Sequence, residues 1–136
     1  PEELMDRSTS EFVAQVLGPA SFVEATVSSV TPGGGTARIQ TRGTPLAVDT
    51  RAASPLQVGQ KVLLCTRPRH VQVEGAAPTD DPRRSVGLVV AIRRSGVVIE
   101  YDLDIGVGVL RGTSLADFDL RIGDFAGLRV IKSIAL

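Results

Sequence analysis

The stretch Pro55–Val73, PLQVGQKVLLCTRPRHVQV, limits the possible folds more than any other part of the chain. Val62, Leu64 and Thr66 alternate with Leu63 and Cys65, which is the two-residue period of a strand with one buried face. Val58-Gly59-Gln60-Lys61 before it reads as a tight turn. Pro68 has no N–H to donate and ends the ladder, and Val71 and Val73 resume the alternation beyond it. A strand broken by Arg-Pro and then resumed belongs in a small barrel whose last strand turns a corner.

The chain on either side fits that reading. Val23–Val30 alternates apolar and polar residues, Pro32-Gly33-Gly34-Gly35 is a turn, and Thr36–Thr41 is a second strand. Arg42-Gly43-Thr44-Pro45 turns again, Leu46-Ala47-Val48 is a third short strand, and Asp49–Ser54 is a loop. With the two strands of the opening stretch this makes five, spaced by turns as in an OB-like barrel. Gly75–Arg84 (GAAPTDDPRR) is polar, charged and without periodicity, so it reads as a linker or surface loop.

Beyond the linker the plan repeats. Val86–Ile92 and Val97–Leu103 are strands around an Arg93–Gly96 turn. Gly106–Leu110 is a third, and Asp119–Gly123 leads into Leu128–Leu136. Val58-Gly59-Gln60-Lys61 corresponds to Ile122-Gly123-Asp124-Phe125. Duplication makes physical sense, because a barrel of about 55 residues is marginal alone while two packed lobes bury more surface.

At the start, Ser8–Glu11 fits a capping box, and Phe12, Val13, Val16 and Leu17 form a helical stripe ended by Gly18-Pro19. The expectation is therefore a mainly β protein. It has a helical lead-in over residues 1–20, a first OB-like lobe over 21–76, a linker over 77–84 and a second lobe over 85–136. Pro1-Glu2-Glu3-Leu4 is an odd beginning for a native protein, and the chain reads as a segment of something longer.

Composition narrows the function. Hydrophobic residues are 43% of the chain but aromatic ones only 4%, so aliphatic side chains must fill the core. Basic and acidic residues balance at fifteen each, which leaves no global field to draw in nucleic acid or an anionic membrane. OB-like barrels that bind single strands stack bases on aromatic rings; only Phe12, Phe22, Tyr101, Phe118 and Phe125 exist here, and several are needed for the core. No apolar run approaches the roughly 18–20 residues of a membrane span. Cys65 stands alone, so it forms no internal disulfide and suits a reducing compartment.

Gly33-Gly34-Gly35-Thr36 lacks the lysine and following helix of a phosphate-binding P-loop. His70 is the lone histidine, so there is no histidine cluster for zinc. A Cys65–His70 nucleophile pair would straddle the proline corner with no oxyanion signature beside it, and a structural role is expected for both. Glu100, Asp102 and Asp104 share one strand face, where three carboxylates are expected to form a solvated side rather than a cation site. Among the fifteen basic residues only Lys61 and Lys132 are lysines, and arginine's planar fork suits anions and ion pairs between subunits.

VGQKVLLCTRPRHVQV resembles the end of the transport-associated OB-type (TOBE) module of importer-type ABC ATPases. There a G-x-x-V turn leads into R-P-E-H, and Arg69 stands in place of the usual glutamate. The pattern P-E-E-L … F-V-A-x-x-L-G over Pro1–Gly18 is similar to the linker leaving the nucleotide-binding domain of the same family. The resemblance spans nearly the whole chain and is closer over Pro1–Val73.

That resemblance implies a C-terminal regulatory and dimerisation region, non-catalytic itself, that supports ATP-driven solute uptake. ATP and magnesium would belong to a motor domain outside the segment, which itself holds no cofactor. The implied partners are a second copy of the subunit, its own ATPase domain, and a regulatory protein or small solute. No nucleic acid is implied. The implied location is cytoplasmic, peripheral to the inner membrane and touching it only through permease subunits. An exposed apolar strip near Val107–Leu110 and Leu115–Leu120 is the expected contact surface. Two other readings stay open: a module binding an oxyanion or other small solute, and a single-strand nucleic-acid protein. Arg67, Arg69 and His70 are the candidate ligand or partner contacts.

Overall fold

A computed structural model describes residues 20–78 and 83–136, which form two five-stranded closed barrels. The first half contributes β1 (Ser21–Thr31), β2 (Gly34–Ile39), β3 (Leu46–Ala52), β4 (Lys61–Thr66) and β5 (Val71–Ala76). The second contributes β6 (Val86–Ser95), β7 (Val98–Asp104), β8 (Val109–Ser114), β9 (Phe125–Val130) and β10 (Ser133–Ala135). The expected OB-like pair of barrels is the observed architecture. Residues 1–19, with the expected capping box and helical stripe, lie outside the described residues.

The strands are not shared out as the chain order implies. Around the first barrel the order is β1-β2-β3-β10-β4, and around the second it is β6-β7-β8-β5-β9. Each barrel therefore takes its fifth strand from the other half of the chain. β10 enters parallel to β3 and antiparallel to β4. β5 enters parallel to β8 and antiparallel to β9. Val71 and Val73, expected to finish a first lobe ending at residue 76, instead close the second barrel. At Pro68 the ladder loses its donor, and the 3₁₀ turn Pro68–His70 redirects the chain into the neighbouring barrel. The expected continuous strand Leu128–Leu136 breaks in the same way at Ile131-Lys132, between β9 and β10.

The two halves repeat in detail. β1 and β6 each carry a bulge against the following strand, between Val27 and Ser29 and between Val89 and Ala91. The Val58–Lys61 and Ile122–Phe125 turns dock on those bulges identically. Gly59 N–H donates to Val27 C=O and Gly123 N–H to Val89 C=O, at 2.8 and 2.9 Å. In return Val27 N–H donates to Gln60 C=O and Val89 N–H to Asp124 C=O, both at 2.9 Å. Gly59 and Gly123 sit at φ +87° and +98°, a left-handed conformation that explains glycine in both copies.

One apolar core runs through both barrels, from Val23, Ile39 and Leu64 to Leu103, Leu110 and Leu128. Tyr101 is the aromatic residue fully buried there. Burying such a side chain stabilises the fold by about 1.5–3 kcal/mol. Polar contacts tie the barrels at their seam. Arg111 N–H donates to Ser21 Oγ at 2.9 Å, and Thr44 N–H to Arg84 C=O at 2.8 Å. Ser85 Oγ donates to Thr44 C=O at 2.8 Å. Among the described residues no helix is long and apolar enough to cross a membrane.

Gly35 sits beside the first bulge, where an added Cβ would run into the Ser29 carbonyl. Gly35→Ala is expected to cost about 3 kcal/mol, because backbone on the facing strand cannot step aside cheaply. A shift of the urea midpoint at unchanged slope measures it. Because the barrels share strands, Tyr101 fluorescence and far-UV circular dichroism should report one transition.

Candidate functional site

The two chain crossings between barrels lie side by side. His70 N–H closes the first onto Arg67 C=O at 2.9 Å. Ile131 N–H, in the second, donates to His70 C=O at 2.7 Å. Thr113 Oγ1 holds the Pro68 carbonyl from β8 at 3.3 Å. Beside this double crossing, where β10 wedges between β3 and β4, a pocket of about 290 Å³ opens.

Four basic side chains line it: Arg67 and His70 from the first crossing, Lys132 from the second, and Arg51 from β3. Its apolar wall is Cys65, Ile131 and Ile134. Ile131 and Ile134 are 42% and 37% exposed, while Cys65 is 3% exposed. Cys65 is thus buried as expected, but the alternation of β4 puts Val62, Leu64 and Thr66 on the barrel side and Cys65 on the other. Thr50 and Ser133 supply hydroxyls that already donate to the carbonyls of Arg51 and Asp49, at 3.3 and 3.1 Å. Asp49 is the one acidic residue of the lining, and its carboxylate accepts from Thr36 Oγ1 at 3.4 Å.

The electrostatics follow from this crowding. His70 titrates below the ordinary imidazole value, first because it is desolvated, then because Arg69, Lys132 and Arg67 repel a further positive charge. Burial pushes the Cys65 thiol up, with Arg67 pulling partly the other way. A neutral imidazole beside a neutral thiol is the reverse of the thiolate–imidazolium pair that a cysteine nucleophile needs. Arg51, Arg67 and Lys132 make no ion pair among the described residues.

The other sequence-derived groups fall elsewhere. Arg69 lies in a separate groove with Gln72, Glu74, Thr113, Ser114 and Phe118, so the crossing divides the three expected contacts two to one. The carboxylates of β7 are already partnered. Arg93 Nε reaches Glu100 at 2.9 Å and its Nη2 reaches Asp102, while Arg111 Nε reaches Asp102 at 3.2 Å. These guanidiniums, Arg93 foremost, hold the Asp102 carboxyl below its usual range. Asp104 pairs with Arg42 at 3.5 Å and accepts the Gly106 N–H at 2.8 Å. No group of three metal-ligating side chains occurs among the described residues. Of the expected apolar strip, Val107, Val109, Leu115 and Phe118 are exposed while Leu110 and Leu120 are buried.

No family model matches this sequence, and none of the curated proteins matches it. Among solved structures, the cytoplasmic molybdate-binding protein ModG, with molybdate bound, superposes with a TM-score of 0.55 at 18% identity. The match covers 81% of this chain and 89% of that one. At that identity the likeness is one of fold: the chain has the two-barrel, TOBE- and OB-like architecture.

His70 gives a direct reading of the pocket. In the folded protein its titration, followed by NMR, should have its midpoint below about 6.5. Lys132→Ala should move that midpoint up, because one repelling charge has gone. The unfolded chain takes up this proton first, so His70 makes stability fall as pH drops below about 6.5 towards the folded value. His70→Asn should remove that part of the pH dependence.

Proposed function

We propose that this protein is a non-catalytic binding module that takes a small anion into the pocket at the double crossing. The observation that carries the reading is the set of uncommitted charges there. On the β6–β8 face Arg93 and Arg111 are occupied by Glu100 and Asp102. Arg51, Arg67 and Lys132 converge on one pocket with no such partner among the described residues. An anion settling there breaks no existing ion pair, and charge-assisted hydrogen bonds from guanidinium and ammonium hold it. The fold shared with a molybdate-binding protein adds support from the architecture. The lining comes from β3, β4 and β10 of the first barrel and from the two crossings, so a bound anion ties the crossings to that barrel and stabilises the fold.

A second reading, the C-terminal regulatory region of an importer ATPase, is favoured by Arg67-Pro68-Arg69-His70 forming the crossing itself. In that role the exposed Val107, Val109 and Leu115 would meet a second copy. The two readings part on simple grounds. Concentration-dependent self-association in sedimentation, with no saturable anion binding, favours the regulatory role.

Titration calorimetry with molybdate, sulfate, phosphate and simple carboxylates tests the main reading. Saturable one-to-one binding of at least one of them is expected. Arg67→Ala should weaken it about tenfold, the loss of a charged hydrogen bond worth about 1.5 kcal/mol or more. Raising the salt from about 50 mM to about 300 mM should weaken it further, since the pocket opens to solvent. Retention of full affinity in both Arg67→Ala and Lys132→Ala would place the anion elsewhere.

A further inference from the structure

Resting on the anion-binding reading, we propose that the pocket's ligand is an amphipathic organic anion: a carboxylate with an aliphatic body of a few carbons, rather than a bare tetrahedral oxyanion. Three features of the pocket lead there, and each concerns what lies around the charge rather than the charge itself.

The first is the supply of donors. An anion with four equivalent oxygens wants hydrogen-bond donors on every side. The two hydroxyls in the lining point their protons at backbone carbonyls, Thr50 Oγ1 to Arg51 and Ser133 Oγ to Asp49. The His70 N–H of the backbone is spent on Arg67 C=O, and the Ile131 N–H on His70 C=O. What remains among the side chains is the His70 ring with the flexible cationic heads of Arg51, Arg67 and Lys132, which suits one carboxylate gripped at one end. Asp49 adds a negative charge to the lining, which opposes a multiply charged anion more than a singly charged one.

The second is the wall. Ile131, Ile134 and Cys65 give the pocket an apolar side, and two exposed isoleucines beside four basic residues gain nothing from a fully hydrated anion. An aliphatic body laid against them removes apolar surface from water on both partners. The third is size. A space of about 290 Å³ is more than a lone tetrahedral anion needs, and it leaves room for an aliphatic body beside the charged end.

Affinities of straight-chain carboxylates from acetate to hexanoate, measured beside molybdate by calorimetry on the full chain, test this. Affinity is expected to rise about fourfold per added methylene until the pocket is filled, with hexanoate binding tighter than molybdate. Ile134→Ser should flatten that chain-length dependence, lowering hexanoate affinity several-fold more than acetate affinity. Ile131→Ser, outside any strand, should do the same and stands in should Ile134→Ser prove unstable by thermal melt. Arg67→Ala should weaken every member of the series by a similar factor. Molybdate or sulfate binding in an Arg67-dependent way, with no gain along the carboxylate series, would overturn the organic-anion proposal and leave the anion-binding function standing. No Arg67-dependent binding by either kind of anion would end both.

Discussion

The strand exchange between the two halves is the constraint on which everything else in the molecule rests. Neither barrel closes from contiguous chain: the first needs β10 and the second needs β5. Both visiting strands enter parallel to one neighbour, a pairing that no hairpin can make, and each is delivered by a crossing of a few residues. Those crossings must pass each other, and their meeting at His70 and Ile131 creates the pocket. The site is thus a by-product of closure. Its walls come from three separate stretches of the chain, residues 49–51, 65–70 and 131–134, because closure itself brings all three together.

Charge is used in two opposite ways on this surface. On the β6–β8 face guanidiniums and carboxylates stand across from one another and neutralise locally. Pairs that exposed contribute little to stability, on the order of 1 kcal/mol or less each. They leave that face without a net field, and their carboxylates are not free to gather a hard cation. At the crossing the balance is withheld. Desolvation comes first in lowering His70, and the repulsion from Arg69, Lys132 and Arg67 that adds to it is the mark of positive charge left unbalanced there.

The sequence carried the architecture well and the site poorly, for a physical reason. Alternation and turns are local, so the repeated V-G-Q-K and I-G-D-F signals marked the duplicated barrels, down to the turns that dock on the two bulges. Alternation is indifferent to which sheet a strand joins. Val71 and Val73 read as barrel strand, and nothing in their pattern named the second barrel. Ile131-Lys132 contains neither glycine nor proline, so the break between β9 and β10 passed as continuous strand. Arg67 and His70 drew notice through their motif. Arg51 and Lys132 reach the same pocket only through the parallel pairing of β3 with β10, which no local signal announces.

The matched turns, bulges and exchanged strands also bear on origin. A polypeptide of half this length would own four strands of its barrel and one meant for another, so it could close only by trading strands with a twin. Such a twinned assembly would carry the crossing site in two identical editions. Joining the twins in one chain releases the editions from identity. Here one parallel seam has gathered Arg51, Arg67, His70 and Lys132, while its counterpart between β5 and β8 borders a groove holding Arg69 with Glu74. Two halves that match in turns, bulges and exchanged strands thus differ where they cross: one groove gathers four basic side chains and the other sets Arg69 beside Glu74.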